Sequence, residues 1–129
     1  MAQVRKILIA DPDIDSVRTL TRALRARGYQ VHYAPDGSRA LEICVLRHPD
    51  LTLFDEACRL LDARTFIQIL RTNPRTEDIP VVLTTASFDS DRVRGLQNGY
   101  LRKPFNLDEV LSRIEHIFRR TEATLADWV

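Results

Sequence analysis

Short apolar runs alternate along the chain with segments of helical period. Val4 to Ala10 reads as a buried strand. Val17, Leu20 and Leu24 then share one helical face, closed by Gly28 as a stop signal. Tyr29 to Ala34 is strand-like. Asp36-Gly37 turns the chain into a second helix, with Ala40, Leu41, Cys44 and Val45 on its apolar face. Pro49-Asp50 introduces Leu51 to Phe54, a third strand, and Phe66, Ile69 and Leu70 mark a third helix that ends before Pro74. Ile79 to Thr85 reads as strand four, Val93 and Leu96 as a short fourth helix before Gly99, and Tyr100 to Arg102 as a short strand five. The last helix is the clearest: Leu107, Val110, Leu111, Ile114, Ile117 and Phe118 repeat with the spacing of one face, and Asn106 with Glu109 is a capping box in front of them.

Five strand–helix units with nearly continuous apolar strands predict an α/β fold, with a parallel sheet covered by helices on both faces. The right-handed crossover rule reduces this to a doubly wound sandwich. At 129 residues with 44% hydrophobic content, the chain is one domain's length. Thr121 to Val129 falls outside the repeating pattern and is expected to be a short tail after residue 120.

Charge excludes more than it suggests. With 19 basic against 18 acidic side chains, the net charge of +1 offers no bulk attraction for nucleic acid or an anionic membrane. Arg18, Arg22, Arg25 and Arg27 on the first helix read as a solvated face. No run approaches the roughly 18 apolar residues of a membrane span, and the N-terminus lacks a signal-peptide pattern. Cys44 and Cys58 lack metal-ligand spacing, so two unpaired thiols in a reducing, cytoplasmic setting are expected. Within the basic total, 17 residues are Arg and only Lys6 and Lys103 are Lys. A position that keeps Lys is therefore a question in itself.

In doubly wound sheets, ligands bind beyond the carboxyl ends of the strands. Strand one ends in Asp11-Pro12-Asp13, strand three in Asp55, strand four in Thr84-Thr85 and strand five in Lys103-Pro104. Carboxylates, a hydroxyl and an ammonium on one edge are the means of handling a phosphoryl group. One carboxylate attacks phosphorus, others hold a divalent cation, and Lys and Thr neutralise and hydrogen-bond the oxygens. Each residue also has a plain structural role on offer. Asp11 or Asp13 can cap the first helix, and Lys103 can be an ordinary solvated lysine. Asp55, at the end of the largely apolar run Leu51-Thr52-Leu53-Phe54, is harder to dismiss, because a carboxylate near a core needs a partner.

Over residues 4 to 120 the chain resembles the receiver domain of two-component response regulators. The resemblance rests on Ile7-Leu8-Ile9-Ala10-Asp11, Pro49-Asp50-Leu51-Thr52-Leu53-Phe54-Asp55, Ile79-Pro80-Val81-Val82-Leu83-Thr84-Thr85-Ala86 and Tyr100-Leu101-Arg102-Lys103-Pro104-Phe105. It implies a flavodoxin-like fold with strand order 2-1-3-4-5 and sets the receiver domain over 1–120, ahead of the tail over 121–129. It further implies Asp55 as phospho-acceptor, Thr85 as switch hydroxyl, Lys103 as phosphoryl ligand and Tyr100 as switch aromatic. Mg²⁺ would be held by Asp11, Asp55 and the backbone carbonyl of Ala57. The implied donor is a histidine kinase or phosphotransfer protein. The implied output is a protein partner, or a second copy, on the face made by the fourth helix, strand five and the last helix.

The departures carry as much meaning. Where the family places a second acidic residue that ligates Mg²⁺ directly, this chain has Pro12, which offers no side-chain oxygen; Asp13 is the only neighbouring substitute. The usual Pro and Gly of the loop after the acceptor are Arg59 and Ala63. Arg59 either replaces metal charge in part or points to solvent. Gly99 runs straight into Tyr100, a few residues short of the family's usual connection, so the fourth helix should be short, shifted or frayed.

Three functions follow. The first is a phosphorylated switch. The second is a phosphorylation-independent adaptor in which Pro12 has removed too much metal affinity. The third is a phosphatase of the haloacid-dehalogenase type, suggested by Asp11-Pro12-Asp13 after a hydrophobic strand; against it stand Asp15, the missing acidic pair after Lys103 and the short chain. The first two are not enzymes beyond self-catalysed phosphoryl transfer. The chain either acts alone by protein contact or is part of something longer.

Overall fold

The computed structural model describes residues 4–86 and 98–127, with side chains of the last helix described as far as residue 122. Its elements run β1 (Lys6–Ala10), α1 (Ile14–Ala26), β2 (Gln30–Ala34), α2 (Gly37–Arg47), β3 (Leu51–Asp55), α3 (Ala63–Thr72), β4 (Val81–Thr85), β5 (Tyr100–Arg102) and α4 (Leu107–Asp127). All strands are parallel, in the order β2-β1-β3-β4-β5. This is the expected doubly wound arrangement. The fourth helix predicted around Val93 and Leu96 lies outside the described residues.

The strands are buried on both sides, and their alternation divides the core in two. Leu8, Ala10, Phe54, Val81 and Leu83 point to the side covered by α2 and α3, where the Phe54 and Phe66 rings stack at 4.4 Å. Ile7, Ile9, Leu51, Leu53 and Val82 point the other way, to Val17, Leu20 and Leu24 of α1 and Val110, Ile114 and Phe118 of α4. With β1, β3 and β4 in register, Ala10 lies opposite Phe54 and Asp55 opposite Thr84. Asp11, Asp55 and Thr85 are thereby brought side by side at the carboxyl edge.

Caps set where the helices begin. Asp13, Asp36 and Asp62 each precede a helix and accept hydrogen bonds from its first-turn amides. Asn106 Oδ1 accepts from Glu109 N at 3.1 Å, which is half of the expected capping box. Gly37 is required at the start of α2, because a Cβ there would lie 2.1 Å from the Leu61 carbonyl oxygen.

Several sequence expectations change. Val45 is 42% exposed, and Ile43 takes its place on the buried face of α2. Ile67, rather than Ile69, is fully buried on α3. Val4 lies outside β1 and is exposed. The stretch 121–127, expected to be a tail, continues α4; Glu122 Oε1 accepts from Arg5 Nη2 at 3.0 Å, which ties this turn to the start of the chain. No helix among the described residues is long and apolar enough to cross a membrane.

Candidate functional site

Asp11 and Asp55 end adjacent strands and are both buried, at 1% and 3% exposure. Lys103 reaches them from the far side, across Thr85, because its amide donates to the Thr85 carbonyl at 2.8 Å and sets the residue at the strand end. Its Nζ lies 2.6 Å from Asp11 Oδ2 and 3.2 Å from Asp55 Oδ1. The first contact is a hydrogen bond. The second is an ion pair whose geometry leaves Asp55 Oδ1 buried without a hydrogen-bond donor. Lys103 is therefore not an ordinary solvated lysine.

This geometry sets the protonation of the group. Burial raises the pKa of Asp55 above the ordinary 3.8, the Asp11 charge adds to the effect, and Lys103 opposes it. Burial alone would push the Lys103 ammonium down. The hydrogen bond to Asp11 and the charge of Asp55 outweigh it, and the pKa rises. One cation thus holds two neighbouring carboxylates that would otherwise repel each other in a desolvated place. Cys58, also buried, has its thiol pushed up to about 12 by burial and then by the charges of Asp55 and Asp11, so it is no nucleophile.

The β1–α1 turn is organised differently. Asp11 Oδ1 accepts from Asp13 N at 2.8 Å, and the Tyr33 hydroxyl donates to the Asp11 carbonyl at 3.1 Å. Asp13 is exposed and does not join the buried pair. Its carboxylate accepts from Asp15 N at 3.1 Å and from Ser16 Oγ at 2.8 Å, so of the two aspartates it is Asp13 that caps α1. The Ser16 hydroxyl bond is the main reason its carboxyl sits below the ordinary range. Pro12 between them is exposed.

Of the remaining candidates, Ala57 is exposed and its amide lies 3.5 Å from Asp55 Oδ2. Arg59 is exposed, while its carbonyl accepts from Gly37 N at 3.0 Å. Ala63 is buried as the first residue of α3. Thr85 is 5% exposed at the end of β4. Tyr100 is half-buried and packs against the core on the α2–α3 side. An open cleft of about 560 Å³ leads to Lys103 between Asp13, Ser16, Ala86 and Phe105.

Two residues here escaped the sequence reading. Tyr33 follows no motif, and only the parallel pairing of β1 with β2 brings its ring to the Asp11 carbonyl. The only signal for Ser16 is its spacing, three residues after the capping Asp13, where the first helical turn brings its hydroxyl to the carboxylate.

Could this edge hold a divalent cation? Among the described residues no group of three His, Cys, Asp or Glu side chains converges as a metal cage. Two buried carboxylates do converge, and one has an oxygen without a hydrogen-bond donor. That donor set fits Mg²⁺, which binds through one or two carboxylates and keeps several waters.

A parallel sheet in the order 2-1-3-4-5, with an aspartate pair and a lysine at its carboxyl edge, defines a receiver-type signalling domain. The chain belongs to the response regulator receiver domain family, whose model matches residues 7–115. It is 40% identical over 122 residues to a probable transcriptional regulator, ycf27, of Cyanophora paradoxa, covering 92% of this chain and 50% of that protein. It is 36% identical over 121 residues to the DNA-binding dual master transcriptional regulator RpaA of Synechocystis, covering 91% and 50%. The chain thus spans about half the length of the regulators it matches. Among solved structures, a putative response regulator of Chloroflexus aurantiacus superposes with a TM-score of 0.82 at 31% identity, covering 89% of this chain and 98% of that one. A CheY-like receiver of Methanospirillum hungatei superposes at 0.86 with 18% identity, covering 95% and 99%, which shows the shared fold.

Proposed function

We propose that Asp55 accepts a phosphoryl group from the phosphohistidine of a kinase or phosphotransfer protein, and that the chain signals by protein contact. The observation that carries this reading is the shared lysine: Nζ lies within 3.2 Å of Asp55 Oδ1, which accepts no hydrogen bond. Lys103 draws Asp55 toward the ionised form that a nucleophile needs. In the transfer, an Asp55 carboxylate oxygen forms the new bond to phosphorus as the bond from phosphorus to the histidine nitrogen breaks. The donor imidazole leaves with that electron pair. Lys103 then follows the charge outward and pairs with a phosphoryl oxygen, while Thr85, at the end of the neighbouring strand, supplies a hydroxyl to another. Asp11 and Asp55, with the Ala57 carbonyl, are the residues that would hold Mg²⁺, which when bound supplies positive charge to the phosphoryl oxygens. Tyr100 is the aromatic that reports the change toward the face of β5 and α4, where a partner protein or a second copy would bind.

One observation favours the adaptor reading. The Asp13 carboxylate is committed to the cap of α1, so the acid missing at Pro12 is not replaced. The relatives are named as transcriptional regulators, and as half of such a protein this domain would govern an output carried elsewhere. In either case the 129 residues work through protein contact rather than by touching nucleic acid.

The test is intact-mass measurement after incubation with Mg²⁺ and acetyl phosphate. The mass of one phosphoryl group should appear in the native chain and be absent in Asp55→Asn. No gain from small donors or from a cognate kinase would leave the adaptor as the function.

A further inference from the structure

The larger cleft lies at the other end of the sheet. About 610 Å³ opens where the end of α3, the start of β4, Asn98 and the last turns of α4 meet. Its walls carry four nitrogen bases, Arg71, Arg113, His116 and Arg120, against two acids, Glu77 and Asp78. Arg71 is half-buried there. Its Nη1 donates to the carbonyls of Glu77 at 3.2 Å and Ile79 at 2.7 Å, and its Nη2 donates to Asn98 Oδ1 at 3.1 Å. All three acceptors are uncharged. Burial pushes this guanidinium's pKa down, and Asp78 opposes the shift only at a distance. The Asp78 carboxylate is itself engaged by His48 Nε2 at 3.1 Å.

The opposite wall is one face of α4. The Arg113 guanidinium lies against the backbone of Gly99, where a Cβ would come within 2.9 Å of its Nη1. Neither Arg113 nor His116 has an ion-pair partner among the described residues. Arg120, which has an interaction of its own, stands one turn beyond His116 and two turns beyond Arg113. Asn98 fixes the cleft's floor: its Oδ1 accepts from Val81 N at 2.8 Å as well as from Arg71, so the rim is held by the sheet.

We propose that the cleft between α3 and α4, where Arg71, Arg113, His116 and Arg120 face one another, binds a small polyanion bearing phosphate or carboxylate groups. The volume is that of a small-molecule site. Guanidinium forks recognise such oxyanions through paired hydrogen bonds, and a half-buried cation bonded only to neutral acceptors lacks the counter-charge the ligand would bring. The site is independent of Asp55 and stands at the opposite edge of the sheet.

The experiment is calorimetric titration of the full chain with pyrophosphate and with citrate at constant ionic strength. One saturable site is expected for at least one anion, and which anion binds distinguishes a phosphate from a polycarboxylate ligand. Arg113→Gln should weaken binding about tenfold. Arg120→Gln should also weaken it, and this second variant leaves the packing on Gly99 untouched. Asp55→Asn and Arg22→Gln should bind as the native chain does. Absence of saturable binding to both anions, undiminished binding in both arginine variants, or loss of binding in Asp55→Asn would overturn the proposal.

Discussion

The β1–α1 and β5–α4 turns flank Asp55 on the same edge of the sheet and bear on it in opposite ways. The β5–α4 turn sends Lys103 inward, where one ammonium serves two buried carboxylates. The β1–α1 turn contributes Asp11 to that pair but turns its next acid outward, to accept bonds from α1. The difference has a simple cause. Pro12 carries no donor or acceptor side chain, and Asp13 follows it at the position where a helix start rewards a carboxylate. On the proposed reading, the cationic half of a phosphoryl site is present while its metal-holding half is thinned. The two turns can be separated by mutation.

The largest effect should come from the inward turn. Lys103→Met removes the cation and leaves two carboxylates buried beside each other, which should cost about 3 kcal/mol of stability near neutral pH in urea unfolding. The loss should depend on pH in a defined direction. Asp55 has its folded pKa raised, so the folded state takes up its proton more readily than the unfolded chain does. Charged Asp55 therefore opposes folding above that raised value, and the penalty fades as pH falls through it toward the ordinary 3.8. The variant should accordingly approach the native chain in acid. A constant deficit at every pH would mean that Lys103 matters through packing alone, and the contrast between the turns would lose its electrostatic basis.

A smaller effect should come from repairing the outward turn. Pro12→Asp adds an anionic oxygen next to Asp11, and ligand charge is what tunes affinity for a hard cation. Mg²⁺ binding, read by calorimetry, should tighten about tenfold. Equal affinity in both proteins would show that Pro12 is not what limits the metal.

How much of this was legible in the sequence depends on the range of the interaction. The parallel sheet and the gathering of Asp11, Asp55, Thr85 and Lys103 follow from apolar runs and the residues that end them, because in a parallel sheet the strand ends share one edge; the strand order itself comes from the resemblance to receiver domains. The rarity of Lys gives Lys103 further weight, and the structure sets its ammonium between Asp11 and Asp55. The sequence leaves Asp13 open between metal and cap, since both roles suit an acid at a helix start; in the structure its carboxylate accepts from Asp15 N and Ser16 Oγ. Helical period places Val45 on the buried face of α2, where it is exposed instead, because period alone cannot show which edge of an apolar stripe a neighbouring sheet covers. Arg71 and Asn98 left no sequence signal, because the contact joins α3 to the strand-five approach across an intervening strand.

The smallest effect tests the cap itself. Asp13→Ala removes the acceptor for the first-turn amide and the Ser16 hydroxyl, and the melting temperature should fall by about 3–4 °C. Mg²⁺ affinity should stay as in the native chain, since the carboxylate faces α1 rather than the Asp11–Asp55 pair. The Asp13 pKa is lowered in the folded state, chiefly by the Ser16 hydroxyl. Its contribution is therefore complete above the ordinary 3.8 and is lost as pH falls through the lowered value, so native and variant melting curves should converge in strong acid. If instead Asp13→Ala leaves the melting temperature alone and weakens Mg²⁺, the residue has replaced the acid missing at Pro12. The β1–α1 turn would then be a rebuilt metal site rather than a thinned one.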